Sequence, residues 1–161
     1  MDLVRRNILA FAAVSIPLIS VARAHDFRAG DLRIDHPWTR AVPPRAPTAA
    51  GYLVVRNTGA VADRLVAVET LAAHAGEIHE MTTIDNVARM RPVEGGIVIP
   101  AGSEVRLVPN GLHLMLVGPN AEAFVRGARV PLTLVFERAG HVEVELAVET
   151  MGARAGEHGG H

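Results

Sequence analysis

Short segments in which apolar and polar residues alternate recur along most of this chain, separated by turn residues, and this pattern constrains the fold most. No stretch is long enough with a 3.6-residue period to indicate a helical domain, although residues 121–125 could form a single helical turn. Closely spaced strands are typical of an antiparallel β-sandwich, which should bury Trp38. The predicted strands lie near residues 32–34, 51–57, 64–70, 77–82, 87–93, 96–99, 104–107, 113–117, 130–136 and 141–148.

One turn between two predicted strands is especially informative. Asp85-Asn86 supplies two residues that tolerate a positive φ, as the centre of a two-residue hairpin requires. In that hairpin Met81 lies opposite Met90 and His79 lies opposite Pro92, so Met90 shares a face with His79. A three-residue loop would shift the register by one and send Met90 to the other face.

The N-terminal segment has the features of an export signal. Arg5-Arg6 precede an apolar run from Ile8 to Val21 that is too short to span a bilayer comfortably. Ala22-Arg23-Ala24 fits the small-x-small rule for cleavage. We therefore predict a signal peptide over residues 1–24, cleavage after Ala24 and a periplasmic location without a stable membrane anchor. The arginine pair leaves both the general secretory and the twin-arginine route open.

The remainder of the chain divides into a domain and a tail. Residues 25–150 are enough for one domain with its own hydrophobic core and too few for two. Residues 151–161 contain almost no apolar side chain to bury, so we predict a flexible, disordered tail. That tail carries Met151, His158 and His161.

Composition excludes several classes of function. The net charge is −1 with no lysine, and no basic stripe is interleaved with aromatic residues, so nucleic acid is not an expected partner. The chain has no cysteine, which removes disulfides, thiolate ligands and the blue-copper type of electron-transfer site. Neither a paired-carboxylate arrangement nor a Ser-His-Asp order is present, and we expect no enzymatic activity.

Histidine and methionine cluster in two of the predicted strands. His79 and Met81 are two residues apart and share a face of one strand, and His113 and Met115 do the same in another. Met90 follows His79 after ten residues. A single methionine on a strand is more often core filler, but three of the five methionines lie close to these two histidines in the pattern. Imidazole and thioether donors without a charged ligand suit copper(I).

The spacing and sequence of these motifs resemble those of the periplasmic copper A chaperone family, PCu(A)C. His79, ten residues, Met90, twenty-two residues and then His113-Leu114-Met115 are similar to the signature of that family. Asn110 stands where a second glycine is common, and asparagine tolerates that backbone. The resemblance runs from about Phe27 to Glu149. Three further segments are similar to strand and turn segments of that family: Met90-Arg91-Pro92-Val93, Ile99-Pro100-Ala101-Gly102 and residues 109–116.

The resemblance implies a cupredoxin-like or immunoglobulin-like β-sandwich with copper(I) ligands at His79, Met90, His113 and Met115, and Met81 as an accessory donor. It also implies a periplasmic copper chaperone that delivers its ion by ligand exchange to cytochrome c oxidase copper sites. The expected partner is a copper-accepting assembly factor or an oxidase subunit.

The C-terminal tail and the alternatives to delivery remain open at this point. Met151, His158 and His161 resemble a His and Met extension found in some members of the family, where a second site would take copper(II). The same main site could instead serve copper buffering or resistance in the periplasm. A metal-free β-sandwich that acts as an interaction module is a further alternative.

Overall fold

The computed structural model describes residues 26–150 and 152, and its regular structure is almost entirely β. The predicted signal peptide and the tail residues Met151, His158 and His161 lie outside the described residues. No helix in the described part of the chain is long and apolar enough to cross a membrane. The strands are β1 (Phe27–Ala29), β2 (Leu32–Arg40), β3 (Thr48–Asn57), β4 (Asp63–Glu69), β5 (Ala73–Ile84), β6 (Val87–Pro92), β7 (Ile97–Ile99), β8 (Glu104–Leu107), β9 (Leu112–Pro119), β10 (Arg129–Phe136) and β11 (Gly140–Glu149), with one 3-10 turn at Ala121–Ala123.

Hydrogen bonds join these eleven strands into one sheet with the order β6-β5-β9-β3-β2-β11-β10-β4-β7. The strand β1 pairs with β2, and β8 pairs with β3. Among the described strands, β11 and β2 form the one parallel pair, and the other pairs are antiparallel. The strand β3 changes partner along its length, because residues 48–51 pair with β9 and residues 53–56 pair with β8.

A single main hydrophobic core draws side chains from both halves of this sheet. Leu65 on β4, Leu114 on β9, Leu134 on β10 and Leu146 on β11 are all fully buried and belong to one cluster. Along each of these strands the buried side chains alternate with more exposed ones, as the period-two pattern of the sequence predicts. The predicted all-β sandwich is therefore confirmed, as a continuous sheet that wraps around its core.

The two ends of the sheet approach each other at Gly76 in β5. A Cβ atom at that position would lie 2.5 Å from the carbonyl oxygen of Val68 in β4 and 2.8 Å from its Cγ1. These separations are shorter than real contacts, so only glycine lets β5 come this close to β4. Because Gly76 lies three residues before His79, this approach also sets where that end of β5 lies.

A β-bulge divides β2 into two parts with different inward faces. The register with β3 shifts between Asp35 and Trp38, and His36 within the bulge has a φ of 50°. Ile34, before the bulge, points into the main core. Trp38 is buried, as the sequence predicts, but in a separate small cluster with Tyr52. The bulge thus moves the tryptophan to the face opposite the core.

We expect the substitution Gly76→Ala to lower the free energy of unfolding by about 1–3 kcal/mol, because the added methyl group overlaps the backbone of Val68. Urea denaturation measures this difference. The matched control is Gly152→Ala, since a Cβ there would meet no described atom within 4 Å. Equal unfolding free energies for the two variants would contradict a close approach of β4 and β5.

Candidate metal centre

A tight hairpin places Met90 on the same face as His79. Asp85 and Asn86 connect β5 to β6 with φ angles of 51° and 62°, the positive values that a type I′ turn requires. Met81 lies opposite Met90, and His79 lies opposite Pro92. The register predicted from the two-residue turn is therefore confirmed, and the alternative three-residue loop is not formed.

A second strand pairing brings the two histidines together. The strand β9 runs antiparallel to β5 with His79 directly opposite His113, and with Glu77 opposite Met115. The ring centroids of the two imidazoles are 6.1 Å apart, with an angle of 51° between the ring planes. One ion could contact a nitrogen of each ring at this separation, since metal–nitrogen bonds measure about 2.0–2.1 Å.

All four predicted ligands lie on one surface, which we call the outer face. It is the face of strands β6, β5, β9 and β3 that is turned away from the main core, because opposed residues in antiparallel strands share a face. The opposite face of these strands carries Ile78 and Leu114, which are buried in the core. The outer face carries Met90, Met81, His79, Glu77, His113, Met115, Ala50 and Tyr52.

The thioethers flank His79 on both sides. Met90 lies opposite the residue two positions after His79, and Met115 lies opposite the residue two positions before it. Such diagonal neighbours in an antiparallel sheet are separated by about 7–8 Å, which long side chains can span. The unbranched methionine side chain is flexible enough to turn its sulfur toward the pair of histidines.

The candidate ligands differ in their exposure to solvent. His113 is only 4% exposed, and the side chain of His79 is 14% exposed. Met90 is 46% exposed, because β6 is an edge strand and pairs with β5 alone among the described strands. The imidazoles are thus enclosed, whereas one thioether is open to an approaching molecule.

Each imidazole has a hydrogen bond through one nitrogen. His113 Nδ1 is 2.9 Å from the carbonyl oxygen of Gly111, and His79 Nε2 is 2.7 Å from Oε2 of Glu77. His79 Nδ1 is buried and has no hydrogen-bond partner among the described residues. Histidines that bind metals usually have such a second partner on the nitrogen that does not bind the ion. Sequence reasoning missed Glu77, although its position two residues before His79 on a strand would have placed both on one face.

An aromatic pair extends the outer face beyond the histidines. The ring centroids of Trp38 and Tyr52 are 4.7 Å apart, and the guanidinium of Arg40 lies 5.6 Å and 5.7 Å from the two rings. Burial raises the pKa of the Tyr52 hydroxyl above its ordinary value, and the charge of Arg40 lowers it to a smaller extent. The phenol is therefore neutral at physiological pH and adds no anionic oxygen to this face.

The donor set of the described residues is poor in charged ligands. No group of three or more histidine, aspartate or glutamate side chains there is placed to hold a metal ion. A site on the outer face therefore needs the methionine sulfurs to complete its coordination, and such a mixed nitrogen and thioether set favours a soft monovalent ion. The three tail residues suggested as accessory donors lie outside the described residues.

The fold and this arrangement of side chains define a PCuAC-type β domain, and solved structures of that class are similar to the chain. The copper-bound PCuAC domain from PmoF2 is 32% identical, with a TM-score of 0.66 over 78% of this chain and 98% of that one. The apo PCuAC domain from PmoF1 is 27% identical, with the same TM-score over 78% and 99%. The solution structure of CuI-DR1885 from Deinococcus radiodurans is 25% identical, with a TM-score of 0.58 over 82% and 84%.

Sequence comparison adds the narrower family. The family profile "Putative lipoprotein LpqE-like" matches residues 32–148. A protein of Leifsonia xyli subsp. xyli named "Putative lipoprotein Lxx21020" is 29% identical over 129 residues, which cover 80% of this chain and 76% of that protein. The chain belongs to the LpqE-like family, and its β domain is of the PCuAC type, as the motifs in the sequence indicate.

The predicted hairpin register can be tested by cross-linking, because the chain contains no cysteine. We expect a Met81→Cys, Met90→Cys double variant to form an intramolecular disulfide under mild oxidation, since these residues are directly opposed. Glu80→Cys with Met90→Cys is the control, because Glu80 points to the opposite face of β5. Mass spectrometry of the oxidised proteins measures both. Efficient cross-linking of the control, or none in the first variant, would contradict the register.

Proposed function

We propose that the domain binds one copper(I) ion on its outer face through His79, His113, Met90 and Met115, with Met81 as an accessory donor. The observation that carries this proposal is the direct cross-strand pairing of the two histidines, with ring centroids 6.1 Å apart. Thioether side chains lie beside this pair on the same face. The site thus offers two nitrogen and at least two sulfur donors to a single ion.

The chemistry of these donors favours a carrier rather than a catalyst. Neutral imidazole and thioether ligands add no negative charge and stabilise the monovalent ion. They can also be replaced one at a time by the ligands of a second protein. The 46% exposure of Met90 gives such a partner a point of entry, because this residue lies on the edge strand β6.

Relatives of the chain support the proposals that the bound ion is copper and that the protein is exported from the cytoplasm. The similar PmoF2 domain is described as copper-bound, and the similar protein DR1885 as carrying copper(I). The family profile and the relative from Leifsonia both carry the word lipoprotein in their names, which fits a protein that leaves the cytoplasm. Together with the apolar N-terminal segment, this supports a periplasmic location.

We further propose that the bound ion is delivered to the copper sites of cytochrome c oxidase, directly or through an assembly factor. Buffering of copper in the same compartment is the competing function, because it uses the same ligands. The two functions differ in what the cell loses when the protein is absent.

We expect anaerobic titration of copper(I) against a competing chelator to show one tight site in the wild type. Met90→Ala and His113→Ala should each weaken that affinity by more than the roughly 10–100-fold that loss of a supporting partner costs, because each removes a direct ligand. His141→Ala is the matched control, since this histidine is exposed on β11, away from the site.

The two ligand variants also need a check of folding. Met90 is half-exposed, so its substitution should change the free energy of unfolding by no more than about 0.5 kcal/mol. His113 is buried, and urea denaturation must show that its variant is folded. Unchanged copper(I) affinity and stoichiometry in both variants would show that these residues are not ligands and would overturn the proposed site. Absence of copper(I) binding in the wild type would leave the metal-free β module as the alternative.

Deletion of the gene in its own host should separate delivery from buffering. If the protein delivers copper, we expect oxidase activity to fall at low external copper and to recover when copper is added. Complementation with the Met90→Ala variant should restore less activity than the His141→Ala control. Normal oxidase activity combined with greater sensitivity to copper would instead indicate buffering.

A further inference from the structure

The hydrogen bond to Glu77 fixes which nitrogen of His79 has a free lone pair. An ionised carboxylate can only accept, so the short contact of 2.7 Å to Oε2 means that Nε2 carries the proton. The Nδ1 atom of a neutral imidazole then has a lone pair and no hydrogen. That atom is buried and has no hydrogen-bond partner among the described residues. A buried polar atom without a partner is costly, which suggests that a bound ion fills this role.

The hydrogen bond of His113 places the proton on the other ring nitrogen, Nδ1. Its Nδ1 atom is 2.9 Å from the carbonyl oxygen of Gly111, and a carbonyl can only accept a hydrogen bond. Nδ1 therefore carries the proton, and the lone pair is on Nε2. The residue just before β9 is also held to β5, because the Gly111 carbonyl accepts a hydrogen bond of 3.1 Å from the backbone nitrogen of Met81.

We propose that Glu77 is a positioning residue for copper(I): it holds His79 as the Nε2–H tautomer, so that the ion binds Nδ1 of His79 and Nε2 of His113. This inference rests on the proposed function and adds to it a residue that is not itself a ligand. A carboxylate that orients a metal-binding histidine in this way also makes the imidazole a stronger donor. Because the Glu77 side chain is 48% exposed, its removal should not disturb the core.

The first test is the state of the two rings without metal. Nitrogen-15 NMR of the histidine-labelled protein, with long-range ring correlations, distinguishes the two neutral tautomers. We expect His79 as Nε2–H and His113 as Nδ1–H in the metal-free wild type. On addition of copper(I), the resonances that shift most should be Nδ1 of His79 and Nε2 of His113. A His79 ring in the Nδ1–H form, or a larger copper-induced shift at its Nε2 atom than at its Nδ1 atom, would overturn the proposal.

The second test uses variants at Glu77. Glu77→Ala should weaken copper(I) affinity by about 10–100-fold without changing the stoichiometry, and should allow His79 to populate both tautomers. Glu77→Gln keeps an oxygen that can accept from Nε2, so it should restore most of the affinity and the single tautomer. The matched control is Glu80→Ala: this neighbour pairs with Arg91 at 3.1 Å and points to the opposite face of β5.

The outcomes separate this inference from the proposed function. If the wild type binds copper(I) tightly and Glu77→Ala binds it equally well, the positioning role is wrong while the copper site stands. If the wild type binds no copper(I), the proposed function and this ligand assignment fail together. Loss of affinity in Glu80→Ala equal to that in Glu77→Ala would show a general effect of removing charge from β5, and would also overturn the positioning role.

Discussion

The register between β5 and β9 is the constraint on which the rest of the structure depends. In this register His79 lies opposite His113 on the outer face. The same register turns Ile78 and Leu114 toward the core. A slip of one residue on either strand would expose that strand's apolar side chains and bury the polar ones. Burial of each large aliphatic side chain stabilises the fold by about 1.5–3 kcal/mol, so the hydrophobic core fixes the geometry of the site.

Much of the fold can be predicted from the sequence because its signals are local. Each of the predicted strands is present, and the Asp85-Asn86 turn alone gives the register of β5 with β6. Asn110 adopts a φ of 65°, a positive value that asparagine tolerates, as expected from the sequence at this turn. The strand β1 was missed because it is only three residues long, and such a segment has too few alternations to be recognised.

The site could be predicted only in part, because its decisive contacts join distant segments. The spacing of His79 and His113 along the chain does not reveal that they are opposed, which requires the pairing of β5 with β9. The bulge at His36 is equally hidden in the sequence, yet it decides that Trp38 lies outside the main core. Glu77 could not be identified as a functional residue from the sequence, since its importance depends on the orientation of one imidazole ring.

The unequal exposure of the candidate ligands gives the proposed transfer a direction. Both imidazoles are enclosed and held by hydrogen bonds to the protein, so neither can rotate freely away from an ion. Met90 is on an edge strand and is far more exposed than either histidine. An incoming donor would therefore displace this thioether first and the histidines last. The same two-faced sheet that buries a core on one side would thus keep a bound ion accessible on the other, and the edge position of β6 would allow exchange without unfolding any strand.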